Sequence, residues 1–371
     1  MRLPETNGRI DEEQAARMLH DAIDRGVNYV DTAYPYHGGQ SEEFLGRHLQ
    51  GEYRRQVKLA TKLPCWEVHD PADCDRLLDI QLKRLRAESV DFYLLHSLGR
   101  DSFQRMKDLG VLEWASRART AGKFRWLGFS FHDDAGAFRE ILDAFDWDMC
   151  QIQYNYMDIE NQAGTAGLRY AAAKNVPVVV MEPLLGGRLC TPPPAVRALW
   201  DGAPVKRSAA AWALGWVWDH PEVTCVLSGM STPSQVEENC SLAATARPGM
   251  FTPDDQAVVA RVRAAYKKLT LIPCTNCRYC LPCPHHVDIP GNMAAYNDGV
   301  MFNNPAAARG TYGWWKYAFE HLKIMSHDVR AARCVQCGDC DDKCPQSIPI
   351  RSWMPVIHRV LGENGEYVTG P

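Results

Sequence analysis

The sequence predicts an α/β protein, a (β/α)₈ barrel followed by a small helical domain, and three observations predict it. Helix-like and strand-like stretches alternate from Asp11 to about Ala244. The strand-like stretches are almost wholly apolar or β-branched, as strands buried on both faces of a parallel sheet are. From about Leu271 the alternation stops and the chain turns rich in Pro, Gly and Cys.

DEEQAARMLHDAIDRG carries apolar residues at helical spacing and stops on Gly26. The run VNYVDTA follows, then a helix around SEEFLGRHL, the run VKLATKL, a helix near PADCDRLLDIQLKRL and the run VDFYLLHS. FRWLGFS, DMCQIQY, VPVVVME and VTCVLSG continue the series, making seven strand candidates with helical patterns between them. Repeated β–α units of this length build a parallel sheet, and the count suits an eight-stranded barrel with one strand to account for. The expected division is 1–270 for the barrel and 271–371 for the helical domain, in which TYGWWKYAFEHLKIM reads as helix.

A length of 371 residues suits one large domain plus a smaller one. With 46% hydrophobic and 23% charged residues the composition is that of an ordinary globular protein. The net charge of −4 gives no reason to expect attraction to nucleic acid or membrane. No apolar run approaches the ~20 residues that span a bilayer, and MRLPETNGRIDEEQ is too polar for a signal peptide, so a cytoplasmic protein is expected. Eight of the fourteen cysteines crowd into two tracts, a distribution that fits metal binding in a reducing compartment rather than disulfides.

Those tracts read CTNCRYCLPCP, with Cys274, Cys277, Cys280 and Cys283, and CVQCGDCDDKCP, with Cys334, Cys337, Cys340 and Cys344. The second is the bacterial ferredoxin run C-x₂-C-x₂-C-x₃-C-P. Two-residue gaps wrap the chain around a cubane so that three thiolates reach three irons. In two-cluster ferredoxins the last cysteine of a run ligates the other cluster. Two 4Fe–4S clusters are therefore expected, one on Cys274, Cys277, Cys280 and Cys344, the other on Cys334, Cys337, Cys340 and Cys283. The first tract departs by one residue before its final cysteine, and a pair of four-cysteine zinc sites is the alternative.

A second constellation lies in residues 27–96. Asp31 and Tyr36 stand in DTAYPY, Lys62 in LATK and His96 at the end of DFYLLH, each at or just past the C-terminal end of a strand. In a parallel barrel those ends converge on one face. Here the sequence resembles the aldo-keto reductase family over nearly all of residues 1–244. The Asp-x₄-Tyr, Lys and His pattern is similar to that family's catalytic tetrad, and YHGGQSEEFLG, GFSFHD, QIQYNY, MEPLLGGRL and GMSTPSQVEEN extend the likeness. With two cysteine tracts behind the barrel, it resembles an iron–sulfur branch of that family.

The resemblance implies NAD(P)H-dependent reduction of an aldehyde, ketone or related carbonyl. Tyr36 would donate the proton, Lys62 would lower its pKa, Asp31 would fix Lys62, and His96 would orient the carbonyl. Tyr34 is the rival tyrosine. Ser130 and Gln151 would hold the nicotinamide carboxamide, and Met181 stands where an aromatic ring commonly stacks. Pro183 and Leu184 would border the pyrophosphate. Gly229, Met230, Ser231, Gln235, Glu238 and Asn239 would line the adenosine end. Relatives selective for NADPH carry Lys and Arg where this chain has Gly229 and Gln235, which points toward NADH and leaves NADPH open. The family's first strand, roughly Gly-Phe-Gly-Thr, precedes Met-Arg-Leu-Pro; this chain begins at Met1-Arg2-Leu3-Pro4, so most of that strand is expected to be missing through a late start codon. One alternative couples the clusters electronically to the barrel site, with a ferredoxin-like redox partner; another is a redox-sensing barrel without catalysis.

Overall fold

A computed structural model describes residues 1–322 and 325–371. These cluster into two compact units, Met1–Gly186 with Ala210–Thr252, and Gly187–Ala209 with Pro253–Pro371. The chain therefore does not divide at a single point.

The first unit opens with a hairpin, β1 (Glu5–Thr6) and β2 (Arg9–Ile10). Seven parallel strands follow: β3 (Tyr29–Asp31), β4 (Lys58–Leu63), β5 (Val90–Leu98), β6 (Phe124–Phe131), β7 (Met149–Gln153), β8 (Val178–Met181) and β9 (Val223–Val226). Each pairs with its sequence neighbours in the order β3 to β9. All seven coincide with the expected apolar runs. Among the described residues no ladder joins β9 back to β3, and Met1–Pro4 form no strand.

Local chemistry sets the helix ends. Asp11 caps Glu12–Asp24 by accepting from Gln14 N at 3.1 Å. Asp70 and Asp73 form a reciprocal cap on Pro71–Leu85, which starts on a proline whose missing N–H costs nothing there. A Cβ on Gly46 would meet Arg84 O at 2.0 Å, so only glycine lets the helix Gln40–His48 pack so closely there. Ala60, Leu94, Met149 and Val179, one each from β4, β5, β7 and β8, fill an interior layer.

The second unit is helical around the cysteine tracts. Its core joins Ile272, Met293, Tyr296, Tyr312, Trp353 and Ile357. The helix expected at TYGWWKYAFEHLKIM is Pro305–Glu320; Lys323 and Ile324 lie outside the described residues. On that helix Tyr312 is buried, while Trp314 and Tyr317 are 50% and 46% exposed. Among the described residues no helix is long and apolar enough to cross a membrane.

Candidate active site and cluster cavities

The C-terminal ends of β3, β4 and β5 bring Asp31, Lys62 and His96 together, with Tyr36 on the turn after β3. Lys62 is fully buried, and two of its three N–H groups are accounted for by Asp31 Oδ1 at 2.6 Å and Thr32 O at 2.8 Å. Its ammonium lies 4.9 Å from the centre of the Tyr36 ring and engages the phenol. The rings of Tyr36 and His96 meet edge to face at 5.9 Å, and Trp66 packs on His96 at 5.1 Å. Tyr34 lies apart, its ring 4.4 Å from the Arg84 guanidinium.

Electrostatics there correct one expectation. Burial pushes the Tyr36 phenol above its ordinary value, and the opposing pull of Lys62 does not overcome it. Burial alone would lower Lys62, but Asp31 and Tyr36 outweigh it and hold the ammonium above the usual lysine range. His96 is well below its ordinary value, through burial first and then through Lys62, so its ring is neutral; its Nδ1 is buried without a partner.

A layer that sequence reasoning missed supports Lys62 from below. Glu42 is fully buried and accepts from Thr61 Oγ1 at 2.6 Å, Gln81 Nε2 at 2.7 Å and Arg84 Nη1 at 3.2 Å. Gln81 also donates to Lys62 O at 2.9 Å and accepts from Tyr93 at 2.7 Å. The buried carboxylate thus meets three donors, and Gln81 ties it to the strand carrying Lys62.

The residues expected around a nucleotide line the C-terminal ends of four adjacent strands: Ser130 on β6, Gln151 on β7, Met181, Pro183 and Leu184 at and after β8, and Gly229, Met230 and Ser231 after β9. Gln235, Glu238 and Asn239 sit on the helix Pro233–Ala243. Ser130 Oγ accepts from Ser97 N at 2.8 Å, and Gln151 donates to Asp31 Oδ2 at 3.0 Å. Gln235 Oε1 accepts from Ser231 N at 2.7 Å, and Asn239 donates to Ser228 Oγ at 2.9 Å, so both brace the loop after β9. A cation stands where the sequence suggested none: a Cβ on Gly229 would meet Arg2 Cγ at 2.9 Å, and Arg2 Nη1 donates to Gly186 O at 3.1 Å. Only the tertiary path of residues 1–4 puts Arg2 there.

In the helical unit the eight cysteines ring two cavities. Cys274, Cys277, Cys280 and Cys344 line one, and Cys283, Cys334, Cys337 and Cys340 line the other, with Cys280 in the wall between. This grouping has the crossed pattern expected from spacing. Among the described residues no three Cys, His, Asp or Glu side chains close around a single metal ion. The two tracts repeat one backbone shape. Asn276 and Arg278 in the first, and Gln336 and Gly338 in the second, are left-handed at matched positions. Such turns aim N–H groups inward at anions, and Gln336 N donates to Cys334 Sγ at 3.4 Å. The helix Ile289–Met301 clamps both approaches. Asn297 accepts from Leu271 N and Ile272 N at 3.1 and 2.9 Å, just before Cys274. Asn292 accepts from Ala331 N at 2.8 Å and donates to Val329 O at 2.9 Å, just before Cys334. Four thiols around each cavity, with inward N–H groups, suit a cluster that spreads its ligands over several irons.

Comparison with known proteins follows the same division. A model of the aldo/keto reductase family matches residues 1–192, and one of the 4Fe-4S dicluster domain matches residues 273–348. The aldo-keto reductase yakc (NADP(+)) of Schizosaccharomyces pombe is 28% identical over 193 residues, 49% of this chain; the chain spans 55% of that relative's length. The NADH-specific methylglyoxal reductase of Escherichia coli is 26% identical over 283 residues, 64% of this chain and 84% of that protein. The solved aldo-keto reductase AKR11C1 of Bacillus halodurans, in its holo form, aligns with a TM-score of 0.58 at 23% identity, over 68% of this chain and 88% of the other. At that identity the likeness is one of fold.

Proposed function

The chain belongs to the aldo/keto reductase family, and on that premise we propose that it reduces an aldehyde, ketone or related carbonyl with NADH or NADPH, using Tyr36 as the proton donor. The observation that carries this reading is the convergence of Lys62, Asp31, Tyr36 and His96 at the ends of three adjacent strands. A pyridine nucleotide along the ends of β6 to β9, bordered by Ser130, Gln151 and the loop after β9, would supply hydride to the carbonyl carbon. His96, neutral and lacking a partner at Nδ1, orients the carbonyl oxygen by hydrogen bonding. As electron density moves onto that oxygen, the Tyr36 O–H bond breaks and its proton completes the alcohol. The phenolate left behind faces the Lys62 ammonium, which Asp31 and Thr32 O hold in place. Tyr34, engaged with Arg84, lacks that cation.

The relatives' names mention both nucleotides, NADP(+) for one and NADH for the other. Arg2 beside Gly229 would offer a cation to a 2′-phosphate, which supports acceptance of either. In residues 271–371 the two cysteine sets would hold two 4Fe–4S clusters, one on Cys274, Cys277, Cys280 and Cys344 and one on Cys283, Cys334, Cys337 and Cys340. Anaerobic purification with iron and sulfide counts, followed by nicotinamide oxidation over a panel of carbonyls, tests the whole reading. Absence of turnover on every carbonyl with either nucleotide would refute it.

A further inference from the structure

A circuit of hydrogen bonds leaves the Lys62 side chain and returns to the Lys62 backbone. The ammonium donates to Thr32 O at 2.8 Å, and Thr32 Oγ1 bonds Ser41 Oγ at 2.8 Å. Ser41 and Glu42 are neighbours in the first turn of the helix Gln40–His48. Glu42 Oε1 accepts from Gln81 Nε2 at 2.7 Å, and the same amide donates to Lys62 O at 2.9 Å. Thr61, just before Lys62 on β4, donates from Oγ1 to Glu42 Oε1 at 2.6 Å. Tyr93 on β5 donates to Gln81 Oε1 at 2.7 Å, which leaves the amide one orientation. Thr32, Ser41, Glu42, Thr61, Lys62 and Gln81 are all fully buried.

Tyr36 hangs inside this circuit. The stretch 33–40 runs from Thr32 to Ser41, so the bond between those two hydroxyls ties its ends together. Within it Tyr36 N donates to Ala33 O at 3.1 Å, and His37, Gly38 and Gly39 follow with φ of 53°, 62° and 89°. Backbone so far from strand or helix geometry, with a non-glycine residue among the left-handed ones, keeps its shape only where its surroundings hold it. Arg84 adds another anchor, donating to Glu42 Oε2 at 3.2 Å and to Tyr34 O at 3.5 Å. Well-packed apolar residues commonly stabilise such a layer as well as a buried carboxylate and its partners do. The hydrogen bonds differ in fixing direction. What they fix here is the strand end bearing Lys62 against the turn bearing Tyr36, the support that a reacting pair needs from the residues behind it.

We propose that Glu42 is a positioning residue that, with Ser41 and Gln81, sets Lys62 against Tyr36 and acts on proton donation only through that pair. This rests on the carbonyl-reductase reading. The test measures single-turnover reduction of benzaldehyde and propanal with NADH and NADPH on the cluster-loaded protein, per nucleotide-binding site counted by fluorescence titration. Ser41→Ala opens the circuit at Thr32, and Gln81→Met opens it at Lys62 O. Each should slow reduction about tenfold or more, the scale of a small misplacement of reacting groups, with nucleotide affinity little changed. Glu42→Gln keeps an acceptor oxygen for Thr61 and Gln81 and should retain most of the rate, whereas Glu42→Leu should lose it. A merely structural role would instead lower thermal stability and the number of binding sites and leave the rate per site unchanged. A double-mutant cycle separates the two: in a Lys62→Met background, Ser41→Ala and Gln81→Met should slow reduction no further, because the placement they protect is already gone. Wild-type rates per site in both variants, or losses undiminished in the Lys62→Met background, would overturn the inference while leaving the carbonyl-reductase reading intact. Failure of wild type to reduce either aldehyde with either nucleotide overturns both. If Gln81→Met does not fold, Ser41→Ala, which removes a single oxygen, decides by the same cycle.

Discussion

The Lys62 ammonium lies 4.9 Å from the centre of the Tyr36 ring. Tyr34, two residues earlier, instead stacks on Arg84. Removing the phenolic proton donor should therefore act at one tyrosine only. Tyr36→Phe is expected to reduce carbonyl turnover by on the order of 10² or more, the scale of general acid catalysis, with nicotinamide binding by fluorescence little changed. Tyr34→Phe should retain most activity; the reverse ranking would move the proton donor to Tyr34.

The pH dependence follows from burial outweighing the lysine at Tyr36. Reduction needs the protonated phenol, and the phenol is held above its ordinary value of about 10. Its rate should stay level across the neutral range and fall only at more alkaline pH. Oxidation of the alcohol needs the phenolate and should rise with pH. Lys62→Met removes a cation that lowers the phenol, so the alkaline arm of the oxidation profile should move further up. A midpoint near 7 for reduction, measured under single-turnover conditions, would identify a different proton donor.

Arg2 gives the nucleotide preference a specific test. Its side chain covers Gly229, where the sequence offered no cation. Arg2→Ala should weaken NADPH several-fold more than NADH, as expected for loss of an exposed charge-assisted contact to a phosphate. Gln235→Arg should shift the ratio the other way. Titration calorimetry with both nucleotides measures this, and a ratio indifferent to Arg2 would leave the 2′-phosphate to some other cation.

Asn297 holds the approach to the first cysteine tract through two accepted N–H groups and one donated bond to Ile272 O at 2.8 Å. Asn297→Ala strands buried backbone groups, at about 1–3 kcal/mol each, and should lower iron and sulfide content without touching a ligand. Replacing Cys334 and Cys337 by Ser should remove absorption near ~400 nm from that cluster and destabilise the helical unit, because cluster binding is coupled to folding. Zinc in place of iron and sulfide in anaerobically prepared protein would contradict the assignment.

The helical unit has a modest core, which the clusters would tie together, and we expect them to organise that unit rather than to carry hydride-derived electrons. Single-turnover hydride transfer should then run at the same rate with the clusters held oxidised or reduced. A rate that tracks their redox state in stoichiometric fashion would replace this view with electronic coupling.

Much of this protein was legible in its residue order. The seven strands read directly because a strand buried on both faces, such as VVVM of β8, needs continuous apolar character. Asp31, Lys62 and His96 could be grouped because parallel β–α repetition puts all strand ends on one face. The first three cysteines of each tract could be grouped because x₂ spacing is a local constraint on backbone geometry.

Other features depend on distances between segments far apart in the chain, which no periodicity encodes. Spacing supplied the Lys62–Tyr36 pairing, but only burial decided that the phenol rises rather than falls. Arg2 reaches Gly229 through the path of the first four residues, and Asn292 and Asn297 find their backbone partners some 25 to 39 positions away. Segment Gly187–Ala209 joins the helical unit although it interrupts the barrel sequence. Sequence alone determined the elements and which polar and cysteine side chains they carry, since hydrophobic period and residue spacing are local. Tertiary structure decided which polar groups are buried against one another, because desolvation and long-range hydrogen bonds exist only once the chain has folded.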